Sequence, residues 1–184
     1  MAEVEEREDL EVLLKDEEVF EPPEEFKKNA LATSVEDTGG VVFVPALAGL
    51  GSPWWDAGAR GLITGLTRGS TRAHLVRAAL EAIAHQVADV VEALPGQLEL
   101  LRADGGATGN AFLMQLQADL LRLPVHVAAE QETTALGVAA LCAGGAARVP
   151  VGAVFEPRLD ADRVAEERGC WETALARARS DFGS

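Results

Sequence analysis

A glycine-rich segment that ends in a polar side chain is the part of the chain best suited to contact a ligand. It spans residues 104–110 and reads DGGATGN. Gly105 and Gly106 carry no Cβ, so a ligand can approach the backbone closely there. Asn110 can cap a following helix, whose first N–H groups would face an anion or a polar ring. The segment predicts either a ligand-binding turn or an ordinary tight turn, and its composition alone favours the tight turn.

The common signatures of phosphate, metal and nucleophile chemistry do not occur in this sequence. Residues 104–110 contain neither the Gly-Lys-Ser/Thr of a P-loop nor the GxGxxG spacing. Cys142 and Cys170 stand alone, and the 3 histidines match no metal-binding spacing. We therefore expect no metal site, and cysteines that stay reduced.

Two other segments have unusual compositions, and each has a structural interpretation beside a functional one. Trp54 and Trp55 are adjacent in a glycine-rich loop, where they could stack on a ligand ring or pack between domains. Packing is the more frequent use of such residues. Residues 61–81 join a strand framed by glycines to a helical face of small side chains, which favours close packing rather than chemistry.

Charge and hydropathy exclude several classes of partner. The formal net charge is −14, and attraction to phosphates dominates nucleic-acid binding, so we expect no nucleic-acid partner. We also expect no binding to an anionic membrane surface, because its negative charge repels that of the chain. The longest apolar run, residues 41–51, falls short of the roughly 20 residues that span a bilayer, and no basic segment precedes an apolar one. We therefore expect a cytoplasmic protein.

Apolar runs and amphipathic segments alternate after residue 30, which indicates an α/β layered fold. The expected strands cover residues 41–44, 61–66, 98–101 and 125–127. Helices are expected from Ser70 or Thr71 to residue 94, from residue 111 to Pro124, and over residues 134–143 and 162–179. In the first of these helices, apolar residues at steps of three and four predict the buried stripe, which consists of Val76, Leu80, Ile83, Val87, Val90 and Leu94.

The first 30 residues differ from the rest of the chain. They contain 12 acidic and 4 basic side chains and little core-forming material beyond a short leucine-bearing segment near Leu10. This composition predicts a solvated, partly disordered arm over residues 1–30, followed by one folded domain over residues 31–184.

Taken together, several motifs resemble the C-terminal domain of the FGGY carbohydrate kinases, and within that family the glycerol kinases. Residues 43–56 read FVPALAGLGSPWWD, and residues 61–81 satisfy the family's long spaced signature. The DGG at residues 104–106, the LMQLQAD at residues 113–119 and the TALG at residues 134–137 are also similar. The resemblance covers about residues 31–179.

The resemblance implies a fold, a cofactor and a ligand-contacting turn. The family has the actin/hexokinase-like fold, in which two ribonuclease-H-like domains close over MgATP and the substrate, so we expect an incomplete version of it here. ATP with magnesium is the implied cofactor. The turn at residues 104–110 would lie on the adenosine side, with Gly105, Gly106 and Asn110 as the nucleotide-binding residues.

The family's catalytic aspartate, its polyol-holding residues and the opening strands of this domain have no counterpart in the sequence. We therefore expect the nucleotide-binding part of an ATP-dependent kinase for glycerol or another polyol or sugar, inactive as an isolated chain and with unpaired sheet edges. The alternative is a non-catalytic chimeric relic, or the docking half of a split kinase. The expected protein partner is a separate N-terminal kinase half or a second copy of this chain.

The acidic arm resembles a different family. Residues 19–30 read VFEPPEEFKKNA and are similar to the N-terminal leader of acetyl-coenzyme A synthetases. The resemblance implies that residues 1–30 have a different origin from the kinase-like part. It implies no activity, because the leader is not the adenylation site of those enzymes.

Overall fold

The computed structural model describes residues 28–146 and 148–180. Nearly all of the predicted acidic arm, including its leucine-bearing segment, lies outside the described residues. Secondary structure in the described part follows the order α1 (Lys28–Ala32), β1 (Val42–Val44), β2 (Leu62–Thr64), α2 (Arg72–Glu92), β3 (Leu101–Ala103), a 3-10 turn (Gly106–Gly109), α3 (Ala111–Leu121), β4 (Val125–Ala128), α4 (Thr133–Cys142), β5 (Val151–Phe155) and α5 (Ala161–Ala178).

The strands form two small sheets, which confirms the α/β class. In the first sheet, β1 pairs antiparallel with β2. The second has the order β3-β4-β5, with β3 parallel to β4 and β4 antiparallel to β5. Because α3 connects two parallel neighbours, the carboxyl ends of β3 and β4 lie at the same edge of this sheet. The DGGATGN segment begins at that edge.

The sequence predictions for the strands are partly wrong in position and in number. The strand expected over residues 98–101 begins only at Leu101, where its backbone N–H donates to Pro124 O at 2.9 Å. No strand was expected at Val151–Phe155, which contains Gly152 and Ala153, two residues of low strand propensity. This strand forms because β4 offers it an antiparallel partner.

Two apolar clusters form the core, and α2 contributes to both. Ala82 belongs to the cluster between β1 and α5, whereas Ala84 belongs to the cluster around α3 and β4. Trp171 is the largest fully buried side chain of the first cluster. The first cluster contains five alanines, whereas the second consists mainly of leucine, valine and methionine and contains two alanines.

The predicted apolar stripe on α2 is wrong. Of its six residues Leu80 alone is buried, and Ile83, Val90 and Leu94 are exposed. The buried face consists instead of Ala73, Ala78, Leu80, Ala82, Ala84, His85, Ala88 and Asp89. Small residues lie on the inner face, where α2 packs against its neighbours. Asp89 lies there as well, because buried donors on other segments supply its hydrogen bonds.

Asp89 is the centre of a buried polar network that joins α2 to α5 and to the tryptophan loop. Its Oδ1 accepts from the Arg168 guanidinium at 2.7 Å, and both of its carboxylate oxygens accept from Trp171 Nε1, at 3.2 and 3.0 Å. Oδ2 also accepts from Trp54 Nε1 at 3.3 Å. Arg168 donates in addition to Glu92 at 2.8 Å. A buried carboxylate of this kind is stable because nearly all of its hydrogen-bonding capacity is used.

His85 lies beside this network and is held neutral. Its ring stacks on Trp171 with centroids 5.1 Å apart and planes 4° from parallel. Burial first, and the positive charge of Arg168 second, lower the pKa of His85 to about 3. Protonation of this ring is therefore unfavourable in the folded chain throughout the neutral range.

No helix within the described ranges is long and apolar enough to cross a membrane.

The His85 environment predicts a pH dependence of stability. Between pH 6.5 and about 3, the unfolded chain binds a proton that the folded chain does not, so the free energy of unfolding falls as the pH falls. The slope reaches about 1.4 kcal/mol per pH unit inside that window. His85→Phe keeps a ring against Trp171 and removes the titrating group, so the variant should lose stability less steeply. Urea denaturation at pH 7, 6 and 5 measures both slopes, and equal slopes would contradict the prediction.

Candidate functional site

The DGGATGN turn has a defined conformation that depends on Gly105. This residue has φ 85° and ψ 174°, in the left-handed region that side chains disfavour. Its carbonyl oxygen accepts from the Thr108 backbone N–H at 3.0 Å and from the Thr108 hydroxyl at 2.7 Å. The turn is therefore closed internally by a buried threonine, which sequence reasoning did not single out.

Asn110 ends the turn and begins α3. Its Oδ1 accepts from the Leu113 backbone N–H at 3.0 Å, so Asn110 is the N-cap that the sequence predicted. This bond uses the side-chain oxygen, which leaves the amide nitrogen as the part of Asn110 that can donate to a ligand. The cap also occupies the Leu113 N–H, one of the donors expected to face an anion.

The glycines of this turn face open space, as several other described glycines do, and differ from the close-packed glycines at 65 and 152. A Cβ built on Gly105, Gly106 or Gly109 would meet no atom within 4 Å. By contrast, a Cβ on Gly152 would lie 2.7 Å from the backbone of Ala129, and one on Gly65 would overlap the carbonyl oxygen of Gly40. Packing therefore requires glycine at 65 and 152 but not at 106, where the backbone faces open space.

A cavity of about 260 Å³ lies at the same sheet edge, next to the turn. Asp104 links the two features, because it begins the turn and also lines the cavity. Neither Gly105, Gly106 nor Asn110 lines it. The other lining residues come from the ends of β3 and β4, the start of α4 and the segment before β5, and they are Arg102, Ala103, His126, Ala128, Thr133, Val149, Pro150 and Val151.

Sequence reasoning missed Arg102, His126 and Thr133 as candidate contacts. The signal that could have found them is the parallel pairing of β3 with β4, which places Arg102 opposite His126 in the register. Residues at the carboxyl ends of neighbouring parallel strands commonly form ligand sites. Among the described residues, no group of three or more His, Cys, Asp or Glu side chains could hold a metal ion.

The tryptophan loop has a structural role in the chain. Trp54 donates to Asp89, and its ring lies 5.2 Å from the Arg179 guanidinium. Trp55 is 78% exposed, so it takes no part in the core. Asp56 accepts from the Ser180 backbone N–H and hydroxyl, both at 2.7 Å, and these bonds lower the pKa of Asp56. The loop thus holds the end of α5 in place.

Residues 61–81 also have a structural role, which is the interpretation that their composition favoured. The Thr71 backbone N–H donates to His74 Nδ1 at 3.0 Å at the start of α2, and Arg77 pairs with Glu81 at 2.9 Å. Arg77 also donates to Val35 O at 2.8 Å, which fixes the segment before β1.

Comparison with protein families gives one match that covers most of the chain. The model of the C-terminal domain of the FGGY family of carbohydrate kinases matches residues 2–146. The glycerol kinase of Herminiimonas arsenicoxydans is 47% identical over 165 residues, which cover 82% of this chain and 33% of that protein. Glycerol kinase 2 of Thermotoga maritima is 59% identical over 115 residues, which cover 60% of this chain and 23% of that protein.

Solved structures agree with this match. Plasmodium falciparum glycerol kinase with ADP superposes with a TM-score of 0.73 at 32% identity, over 92% of this chain and 36% of that one. A ligand-bound xylulose kinase from Lactobacillus acidophilus gives a TM-score of 0.65 at 23% identity, which supports the fold alone. This chain thus spans about a third of the length of the Herminiimonas and Plasmodium glycerol kinases. The separate origin of residues 1–30 stays a prediction.

The cap at Asn110 predicts different effects for two substitutions. Asn110→Ala removes the acceptor for the Leu113 N–H and should lower the free energy of unfolding by about 1 kcal/mol. Asn110→Asp keeps an acceptor at the same position and should leave stability nearly unchanged. Urea denaturation of both variants and the wild type measures the difference. Equal losses in the two variants would mean that the cap contributes nothing.

Proposed function

The chain belongs to the FGGY family of carbohydrate kinases through that family's C-terminal domain, and we propose that it forms the nucleotide-binding side of an ATP-dependent kinase. The reaction is transfer of the γ-phosphoryl group of ATP to a hydroxyl of glycerol, or of a related polyol or sugar. The observation that carries the proposal is the open backbone at Gly105 and Gly106, which no neighbouring atom fills. ATP as substrate also implies a cytoplasmic location.

The turn is suited to the flat base or the ribose of an adenine nucleotide. A ring can lie against the backbone at Gly106 because no side chain stands there. The Asn110 amide nitrogen, which the cap does not use, can donate to an acceptor atom of the base or ribose. The solved Plasmodium glycerol kinase contains ADP, and this chain matches 36% of it. That likeness supports an adenine nucleotide as the ligand of this chain.

We assign magnesium to no residue of the described part, because no carboxylate cluster there could hold it. The ion would accompany the phosphates of the nucleotide. Phosphoryl transfer also needs a group that receives the hydroxyl proton and a site that aligns the hydroxyl with the γ-phosphate. The family's catalytic aspartate and polyol-holding residues have no counterpart in the sequence, so we expect no glycerol 3-phosphate from these 184 residues alone.

A second candidate function is docking onto a polypeptide that carries the rest of a kinase fold. The observation that favours it is α4, in which no residue is buried. Val138 and Leu141 are 57% and 77% exposed, although the helix is strongly apolar. Strand β5, which follows α4 in the chain, also exposes Val151 and Val154. Exposed apolar side chains on consecutive elements are typical of a surface that another chain covers.

Nucleotide binding is tested by titrating ATP into the purified chain and measuring heat. We expect saturable binding in the wild type and at least tenfold weaker binding, about 1.4 kcal/mol, in Gly106→Trp. The indole would occupy the space of the nucleotide, and the backbone of Gly106 accepts a side chain without strain. Asn110→Asp should also weaken binding, because it keeps the cap but replaces the donor with a negative charge.

The control for this titration is Gly169→Trp. Gly169 is exposed on α5, and a Cβ there also meets nothing within 4 Å. This variant should bind ATP as the wild type does. A folded wild type without saturable binding would overturn the proposal, and formation of glycerol 3-phosphate by the pure chain would overturn the expected inactivity.

Docking is tested by co-expressing the chain with the part of the Herminiimonas glycerol kinase that lies outside its matched region. We expect the two polypeptides to co-purify, and Leu136→Lys combined with Leu141→Lys to abolish this, since charges on α4 would be buried unpaired. Ala165→Lys with Ala176→Lys places the same charges on exposed positions of α5 and should leave co-purification intact. Absence of any complex with the wild type would contradict the docking function.

A further inference from the structure

A second and larger cavity, of about 460 Å³, lies between α2, α3 and α5 and the segment that leads into β1. Its volume falls in the range of small-molecule sites, which is roughly 300–1,000 Å³. None of the residues 104–110 lines it, so it is separate from the candidate nucleotide site. Its walls are partly apolar and include Phe43, Leu116 and the buried Trp171.

The charges around this cavity are strongly unbalanced. Six carboxylates line it, against the two guanidinium groups of Arg77 and Arg163. Arg77 pairs with Glu81 at 2.9 Å, and Arg163 pairs with both Glu166 and Glu167 at 3.0 Å. Within the described part of the chain, no cation forms a salt bridge with Glu36 or Asp37, which lie exposed at the mouth. The cavity therefore has an excess of negative charge that its own arginines do not neutralise.

Two buried polar side-chain atoms on its inner side have no partner among the described residues. His85 Nδ1 is one, on a side chain that is 6% exposed. The second atom is Gln115 Oε1. The Gln115 side chain is fixed because its Nε2 donates to Asp119 at 3.0 Å and to Glu156 O at 2.9 Å. A neutral imidazole has one acceptor nitrogen, and a donor bound at Nδ1 selects the tautomer in which Nδ1 is that acceptor. Buried acceptors without a donor are costly, so a ligand that donates to both atoms gains affinity.

The half-buried Glu81 lies one helical turn before His85 on the same face of α2. Burial raises the pKa of Glu81, and the nearby carboxylates of Glu167 and Asp37 raise it further, against the effect of Arg77. A cation placed between Glu81 and His85 would be attracted by the Glu81 carboxylate and would donate to the imidazole. The Arg168 charge that disfavours a proton on His85 is itself paired with Asp89 and Glu92. A metal ion does not fit, because no group of three or more ligands converges among the described residues.

We propose that this cavity binds a small aliphatic diamine, with one ammonium group near Glu81 and His85 and the other at the acidic mouth. The methylene chain between the two ammonium groups matches the apolar walls. The inner ammonium group supplies the donors that the two buried acceptors lack, and the outer one neutralises Glu36 and Asp37. This site is independent of the nucleotide-binding function proposed above.

Cys170 provides a direct test, because it lines the cavity and is exposed. We expect 1,5-diaminopentane to slow modification of Cys170 by a thiol-selective disulfide reagent, in a saturable manner at constant ionic strength. Cys142 is exposed but lies outside the cavity, so its rate should not change. Mass spectrometry of the two peptides follows both rates in one sample. Unchanged modification of Cys170, or equal slowing of both cysteines, would overturn the proposal.

The chemistry of the ligand is tested with two analogues of the same length. 5-Amino-1-pentanol keeps one ammonium group and should protect Cys170 with about fivefold lower affinity, as expected for loss of one exposed ion pair. 1,5-Pentanediol carries no charge and should give no saturable protection. Equal protection by the diol and the diamine would overturn the assignment of a cation.

Paired variants locate the outer ammonium group. Glu36→Gln with Asp37→Asn removes both charges at the mouth, and the asparagine can still accept from the Gly39 N–H as Asp37 does at 2.7 Å. We expect this pair to weaken the diamine about fivefold. Glu130→Gln with Glu132→Gln makes the same change in net charge at exposed positions outside the cavity and should have no effect. An equal loss in both pairs would overturn the placement at the mouth.

Discussion

The buried carboxylate of Asp89 is the interaction on which the described structure most depends. It receives hydrogen bonds from Arg168, Trp171 and Trp54, which lie on two different segments of the chain. Removing one partner from a buried ion pair costs about 3–5 kcal/mol, because the remaining charge stays buried without compensation. Asp89 thereby fixes the position of α5 and of the tryptophan loop relative to α2. Burial beside Trp171, and secondly the charge of Arg168 from this network, lower the pKa of His85 and keep its ring neutral.

Helix α3 connects the candidate nucleotide turn to the rest of the molecule. Asn110 caps its first turn, and Asp119 near its end accepts from the backbone N–H groups of Arg158 and Leu159 at 2.6 and 3.3 Å. The side chains between them contribute to the core around β4 and to the larger cavity. The open glycine turn is therefore attached to a helix that is fixed at both ends. A binding turn benefits from such an attachment, because less ordering is needed when the ligand binds.

Several features could be predicted because short stretches of sequence decide them. Asn110 before an apolar helix is a cap in any fold, and the pairing of Arg77 with Glu81 needs only helical spacing. The family followed from residues 43–56 and 61–81, and the family match and the glycerol kinase relatives confirm it. By contrast, strand β5 could not be predicted from its weak propensity, since its partner β4 lies more than twenty residues away.

The sequence by itself determined the α/β class, the family and the location of the glycine turn, because these depend on local periodicity and on spaced motifs. Only the tertiary structure decided which face of α2 is buried. Ile83 and Val90 are exposed while Asp89 is inside, since the network with Arg168 and Trp171 outweighs the hydropathy of single residues. It also decided that the backbone at Gly106 is open while that at Gly152 is filled. Contacts between distant segments set both outcomes, and no local pattern contains them.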